Sequence, residues 1–165
     1  MRKFQIPKLA LRQMKELGKS QLGKLQISKV ALRQMEELEK KKNIEMDLKK
    51  IFEHPLEQRC FLFASDVRSL CRNSNQDIVN VPDIRQLVRS SGSVAANYIE
   101  ANEKLGDGDL KFRIKIARKE AKESILWLGL IYISENPSLE MERQRLIKEA
   151  IELKAILSSI LNKLK

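Results

Sequence analysis

The sequence predicts an all-α protein, an up-down four-helix bundle with an additional N-terminal helical arm. Three observations lead there. The 165 residues are enough for one well-buried core, and 42% apolar with 33% charged is the balance of a soluble globular chain. Only 6 Gly and 4 Pro interrupt long segments whose apolar residues recur with a helical period.

Residues 1–47 form the arm and 48–165 the bundle. Within the arm, Gln5 to Leu17 (QIPKLALRQMKEL) matches Gln26 to Leu38 (QISKVALRQMEEL) at 10 of 13 positions, an offset of 21. Leu9, Leu11, Met14 and Leu17 are answered by Val30, Leu32, Met35 and Leu38, so both copies read as short amphipathic helices, with Gly18 and Gly23 between them. Two copies are too few for a solenoid. The arm holds 12 Lys and Arg against 6 Asp and Glu, more than half of the formal charge of +10 in under a third of the chain. A basic arm for nucleic acid and a solvated lysine-rich helix are both open readings of it.

The first bundle helix, Leu56 to Arg72, restarts after Pro55 with Leu56, Cys60, Phe63, Val67, Leu70 and Cys71 on one side. Asn73 to Asn80 (NSNQDIVN) is rich in turn formers. The second helix, Asp83 to Asn102, organises the chain. Ile84, Leu87, Val88, Ser91, Ala95, Tyr98 and Ile99 fall on a core side, and Arg89, Ser90, Ser93, Ala96, Asn97 and Glu100 on the other. That second side is short-chained, and Gly92 and Ala96 beside it would let another backbone approach closely.

Asp107 or Asp109 can cap a third helix that reaches about Ser134. Leu110, Ile114, Ala117, Ala121, Ile125 and Leu128 make its core face. Phe112, Ile116 and Trp127 lie well over 90° away, with Glu120 and Glu123 close to that second ribbon. A helix apolar on two sides touches two things, here the core and a neighbouring subunit. Lys111, Lys115, Arg118 and Lys122, at steps of four, three and four, place four cations within about 16 Å with no acid in the row. A phosphate backbone would relieve their repulsion; a solvated face is the other reading. Asn136 and Pro137 precede the last helix, about Ser138 to Lys165, with Leu139, Leu146, Ile147, Ala150, Leu153, Leu157, Ile160, Leu161 and Leu164 in one stripe.

Several chemistries lack their residues. The single histidine, His54, stands beside a proline with no nucleophile to pair with, and no Glu-x-x-His pair exists, so neither a catalytic nor a metal site is expected. Gly106 and Gly108 lack the lysine and preceding strand of a phosphate-binding loop. Glu120 and Glu123 are expected to complete a polar network with Arg89 and Asn97 rather than to catalyse. No cofactor is implied. Cys60 and Cys71, 11 residues apart on one helix, read as buried free thiols. The most apolar window, Ile125 to Ile133, is about half a membrane span, and no signal peptide is apparent, so a cytoplasmic protein without membrane contact is expected.

Read together, RSSGSVAANYIEAN (Arg89 to Asn102) and FRIKIARKEAKESILWL (Phe112 to Leu128) resemble the bacterial four-helix-bundle family of proteins encoded in intervening sequences of ribosomal RNA genes. That family includes the accessory variability determinant of diversity-generating retroelements. LEQRCFLFASDVRSL in the first helix and NPSLEMERQRLIKEAIEL in the last extend the resemblance over about residues 56–165. The resemblance implies a basic homopentamer without chemistry of its own, working with RNA or DNA and with a reverse transcriptase. It would make Arg89, Ser93, Asn97, Glu100, Phe112, Ile116, Glu120, Glu123 and Trp127 subunit contacts. The duplicated arm departs from the family's short N-terminus.

The expected function is therefore a non-enzymatic, oligomeric nucleic-acid-binding accessory factor, contacting phosphates through Lys111, Arg113, Lys115, Arg118 and Lys122 and lysines of the arm. The alternative is a protein-interaction scaffold that recruits a partner without binding nucleic acid itself.

Overall fold

A computed structural model of the chain describes residues 35–40, 43, 47, 51–52, 54–103, 106–133 and 135–164. These are 86% helical and contain no strand, an all-α fold. The chain divides into two compact units, Met1–Leu48 and Lys49–Lys165. In the first, residues 35–40 are helical. The tandem repeat lies outside the described residues apart from 35–38.

The second unit contains α1 (Pro55–Arg72), α2 (Asn80–Asn102), α3 (Asp107–Leu130) and α4 (Pro137–Lys163). Each packs on the next and α4 returns to α1, so the four antiparallel helices close a ring around one core. The α2–α3 seam is the most extensive.

In α1, Pro55 occupies the first turn, where its missing N–H costs nothing, and Cys60, Phe63, Ala64, Val67, Leu70 and Cys71 face the core. Its last carbonyls are taken up by polar side chains: Ser74 Oγ donates to Leu70 O (2.9 Å) and Asn73 Nδ2 to Ser69 O (2.8 Å). Helix α2 begins three residues earlier than its sequence suggests. Asp77 Oδ1 accepts from the backbone N–H of both Val79 (3.0 Å) and Asn80 (2.8 Å), which moves the start forward and leaves Pro82 within a first turn that still tolerates it.

The α2 stripe gains Val94 and Ala101, both at 0% exposure. Ser90, expected on the outward polar side, is buried instead. A small hydroxyl can face the core when it is bonded, and Ser90 Oγ donates to Leu87 O (3.2 Å) and accepts from Ser124 Oγ on α3 (2.9 Å). The space beside Gly92 is filled by a side chain rather than a backbone. A methyl group there would come within 3.0 Å of the Arg68 guanidinium.

Two expectations for α3 are corrected. Neither Asp107 nor Asp109 caps it; the cap position is Gly106, whose φ of 143° favours glycine, and both aspartates fall in the first turn. The helix also stops at Leu130 instead of about Ser134. The cause lies on α2: Asn80 Oδ1 accepts from Tyr132 N (2.7 Å) and Asn80 Nδ2 donates to Tyr132 O (2.8 Å), holding that peptide away from the helix. Extended backbone then buries Ile131 and Ile133 while exposing Tyr132, a period of two that continuous helix would not allow. Arg143 Nη1 supplies a cation and a donor to the freed end of α3, bonding Leu128 O at 3.2 Å. In α4, Asn136 Oδ1 accepts from Ser138 N (3.0 Å) and Leu139 N (3.3 Å), with Pro137 following in the first turn.

Both cysteines are free and buried, as their shared helix face required. Burial pushes the Cys60 thiol up to about 12 and the Cys71 thiol up to about 11, so neither is a reactive thiolate near neutrality.

Candidate nucleic-acid and subunit surfaces

Helix α3 has two flanks outside the core, and the structure separates the predicted residues between them. Its buried face is Ile114, Ala117, Ala121, Ser124 and Leu128. Ser124 belongs to the same three-and-four spacing as the apolar residues, and its bond to Ser90 marks the seam with α2.

On the α2 flank the structure joins residues from both helices. Arg113 forms an ion pair with Glu100 across the seam and a longer one, 3.4 Å, with Asp109 of its own helix. Further along, Arg89 lies near Glu120 and favours its charged form. That attraction is outweighed: burial, followed by repulsion from Glu123, raises the Glu120 carboxyl above its ordinary value. Lys119 reaches Glu123 at 3.2 Å and Glu120 at 4.0 Å. The expected network of Glu120 with Asn97 does not form, because Asn97 Nδ2 turns to its own helix, donating to Ser93 O (2.9 Å) and Ser93 Oγ (3.1 Å).

Phe112 is exposed on the side of α3 opposite the core, between the two flanks, and Ile116 is half-buried. Trp127, also placed on the ribbon by sequence, packs against the edge of the core. Its indole Nε1 is buried and has no hydrogen-bond partner among the described residues. The flank is thus a mixed surface of small polar groups and paired charges. Among the described residues no group of three or more His, Cys, Asp or Glu side chains could hold a metal ion.

The opposite flank carries the cation row. Lys115, Arg118 and Lys122 are exposed and Lys111 is half-buried. At about 100° per residue the row lies on the far side of the core face from Arg113 and Glu120. Among the described residues none of the four forms an ion pair with an acid, in contrast to Arg59, Arg113, Arg143 and Arg145, each of which does. Arg113, predicted with the row, stands apart from it and is neutralised locally. The lysines of the arm lie outside the described residues, apart from Lys40.

No family model matches the chain, and no curated protein does. A solved structure from Bacteroides thetaiotaomicron VPI-5482 does. It is described as a protein with unknown function from the S23 ribosomal protein family, and it matches with a TM-score of 0.54 and 25% identity, covering 64% of this chain and 96% of its own. Among the described residues, no helix is long and apolar enough to cross a membrane.

Sequence reasoning missed two features that shape these surfaces. Asn80 reads in sequence as one of several turn formers, yet it is 2% exposed and ties two connections together. Ile78 and Val79 are exposed in the same stretch, and two β-branched residues inside NSNQDIVN are its one apolar signal.

Proposed function

We propose that this chain is a non-enzymatic, oligomeric nucleic-acid-binding accessory protein that contacts RNA or DNA phosphates through the outer flank of α3. The observation that supports this most is the row of Lys111, Lys115, Arg118 and Lys122, left without acidic partners among the described residues while Arg113 and Lys119 of the same helix are paired. Such a row repels itself in isolation and gains from releasing counterions when it meets a polyanion. The α2 flank, with Arg89, Ser93, Asn97 and Glu100 opposite Phe112, Ile116, Glu120 and Glu123, is the proposed subunit surface. Its position away from the row would leave the cations open in an assembled ring. A homopentamer and a reverse transcriptase as partner follow from the resemblance to the intervening-sequence and retroelement accessory proteins, a cytoplasmic location follows from the free thiols and the short apolar window, and all three belong to the same proposal.

The test is the double change Lys115→Glu and Arg118→Glu. Affinity for a structured RNA and for a duplex DNA should fall uniformly across sequences, with helicity and oligomer mass unchanged. Unaltered affinity would remove the row from the function.

A further inference from the structure

We propose that the outer face of the α1–α2 seam binds consecutive phosphate groups through Arg68, Arg72 and Arg85. Among the described residues four arginines are half-buried: Arg59, Arg68, Arg113 and Arg143. Acids hold three of them, Glu149 and Glu152 for Arg59, Glu100 for Arg113 and Glu140 for Arg143. Arg68 has no acid among the described residues. Its Nη1 donates to Ala64 O (2.8 Å), one turn back on α1, and its Nη2 lies beside Gly92 of α2, where a methyl group would come within 3.0 Å. The side chain is drawn across the seam and fixed there by a backbone bond, with a glycine making the room.

Arg72 follows Arg68 by four residues and shares its side of α1, and Arg85 stands seven residues before Gly92, within about 20° of it on α2. Since the two helices run antiparallel, Arg72 is level with about residue 88, and the three arginines fall within about 10 Å along the seam. Arg72 and Arg85 are exposed, and neither forms an ion pair among the described residues. The acids of the two helices are placed elsewhere. Glu57 accepts from Asn102 at the far end, Asp66 pairs with Arg145 of α4 and Glu100 with Arg113 of α3. Asp83 falls about 180° round α2 from Gly92. Arg89, about 60° from Gly92, lies towards Glu120 of α3 and belongs to the proposed subunit flank.

Three unpaired guanidiniums repel one another until an anion joins them. A carboxylate returns a single charge, whereas a nucleic-acid strand carries one about every 3.4 Å, about three over the same length. The guanidinium fork also matches phosphate oxygens two at a time. The α3 row occupies the flank of that helix away from α2, so the two sites are separate and each can fail without the other.

The experiment titrates the full chain with a duplex DNA, a structured RNA and inorganic triphosphate across a salt series. Arg72→Gln with Arg85→Gln should weaken binding by about tenfold or more and lower the slope of log affinity against log salt by about one per arginine removed. Arg68→Lys keeps the charge and loses the fork, so it should weaken binding by about threefold or more. Gly92→Ala sets a methyl group against the Arg68 guanidinium; it should lower affinity in the parent and add nothing once Arg68→Gln is in place. A loss confined to nucleic acid identifies a strand as the source of the phosphates, a loss confined to triphosphate identifies a free ligand, and a loss of both shows a site open to either. Lys115→Glu with Arg118→Glu should leave triphosphate binding unchanged, which separates failure of this site from failure of the row. Unchanged affinity for all three ligands in the Arg72 and Arg85 double variant overturns the proposal. So does a fall in oligomer mass in that variant, since it would give the face to a second copy of the chain.

Discussion

Asn80 shows how one polar side chain can set the boundaries of two helices. Its amide makes the bonds that a further turn of α3 would have made to the Tyr132 peptide, and it does so from a buried position. Asn80→Ala leaves backbone groups of Tyr132 and Asn75 without that partner, so it should cost about 2–4 kcal/mol in urea unfolding, more than truncating an exposed polar residue. A cost under about 0.5 kcal/mol would mean that water replaces the amide freely. The two thiols make a pH prediction. Because burial raises Cys60 and Cys71 from an ordinary value of 9.0, the unfolded chain releases thiol protons first as pH rises. Stability attributable to the thiols is then complete below about pH 9 and falls above it, through the range that ends near 11 and 12. Denaturant midpoints at pH 8 and pH 10 should show this fall, and Cys60→Ala should make the slope shallower.

At the scale of elements, the core stripes were legible because burial on one helix face leaves a periodic trace. Phe63, Val67 and Leu70 in α1, and Leu146, Ala150, Leu153, Leu157 and Leu161 in α4, are buried where their spacing puts them. Helix ends were less legible. The start of α2 depends on Asp77 and the end of α3 on Asn80, a residue 52 positions away from the peptide it holds. A local window cannot contain that contact. Ser90 and Ser124 were obscured for a related reason: each looks polar alone and becomes a core residue only when the other supplies its bond. The two flanks of α3 were visible as a split pattern, yet the pairing of Arg113 with Glu100, which takes it out of the cation row, required the packing of α2 on α3. Glu120 tests that packing. Since burial and Glu123 raise its carboxyl, the charged form is disfavoured in the fold, and its stabilising contribution is present at acid pH and lost as pH rises through the folded value. Glu120→Gln should stabilise the protein at pH 7, with the difference closing as pH falls through the folded value and gone below the ordinary glutamate value of 4.5. Thermal unfolding at pH 7 and pH 4 measures it.

The whole molecule segregates its charge. Of a formal charge of +10, more than half belongs to the arm, and the outer flank of α3 gathers four further cations in one row. Composition alone does not locate that row, since an average charge says nothing of where the cations stand. On the proposed reading, phosphate contacts position nucleic acid without reading its sequence, so affinity should follow the number of cations engaged and not the base order.

The most direct measurement is the affinity of the full chain for a structured RNA and a duplex DNA across a salt series, for the parent and for Lys115→Glu with Arg118→Glu, with oligomer mass recorded in parallel. Affinity should fall steeply with salt for the parent, with a shallower slope and weaker binding for the variant, and the multimeric mass should be the same for both. Absence of binding at low salt, or identical salt slopes for parent and variant, would contradict it.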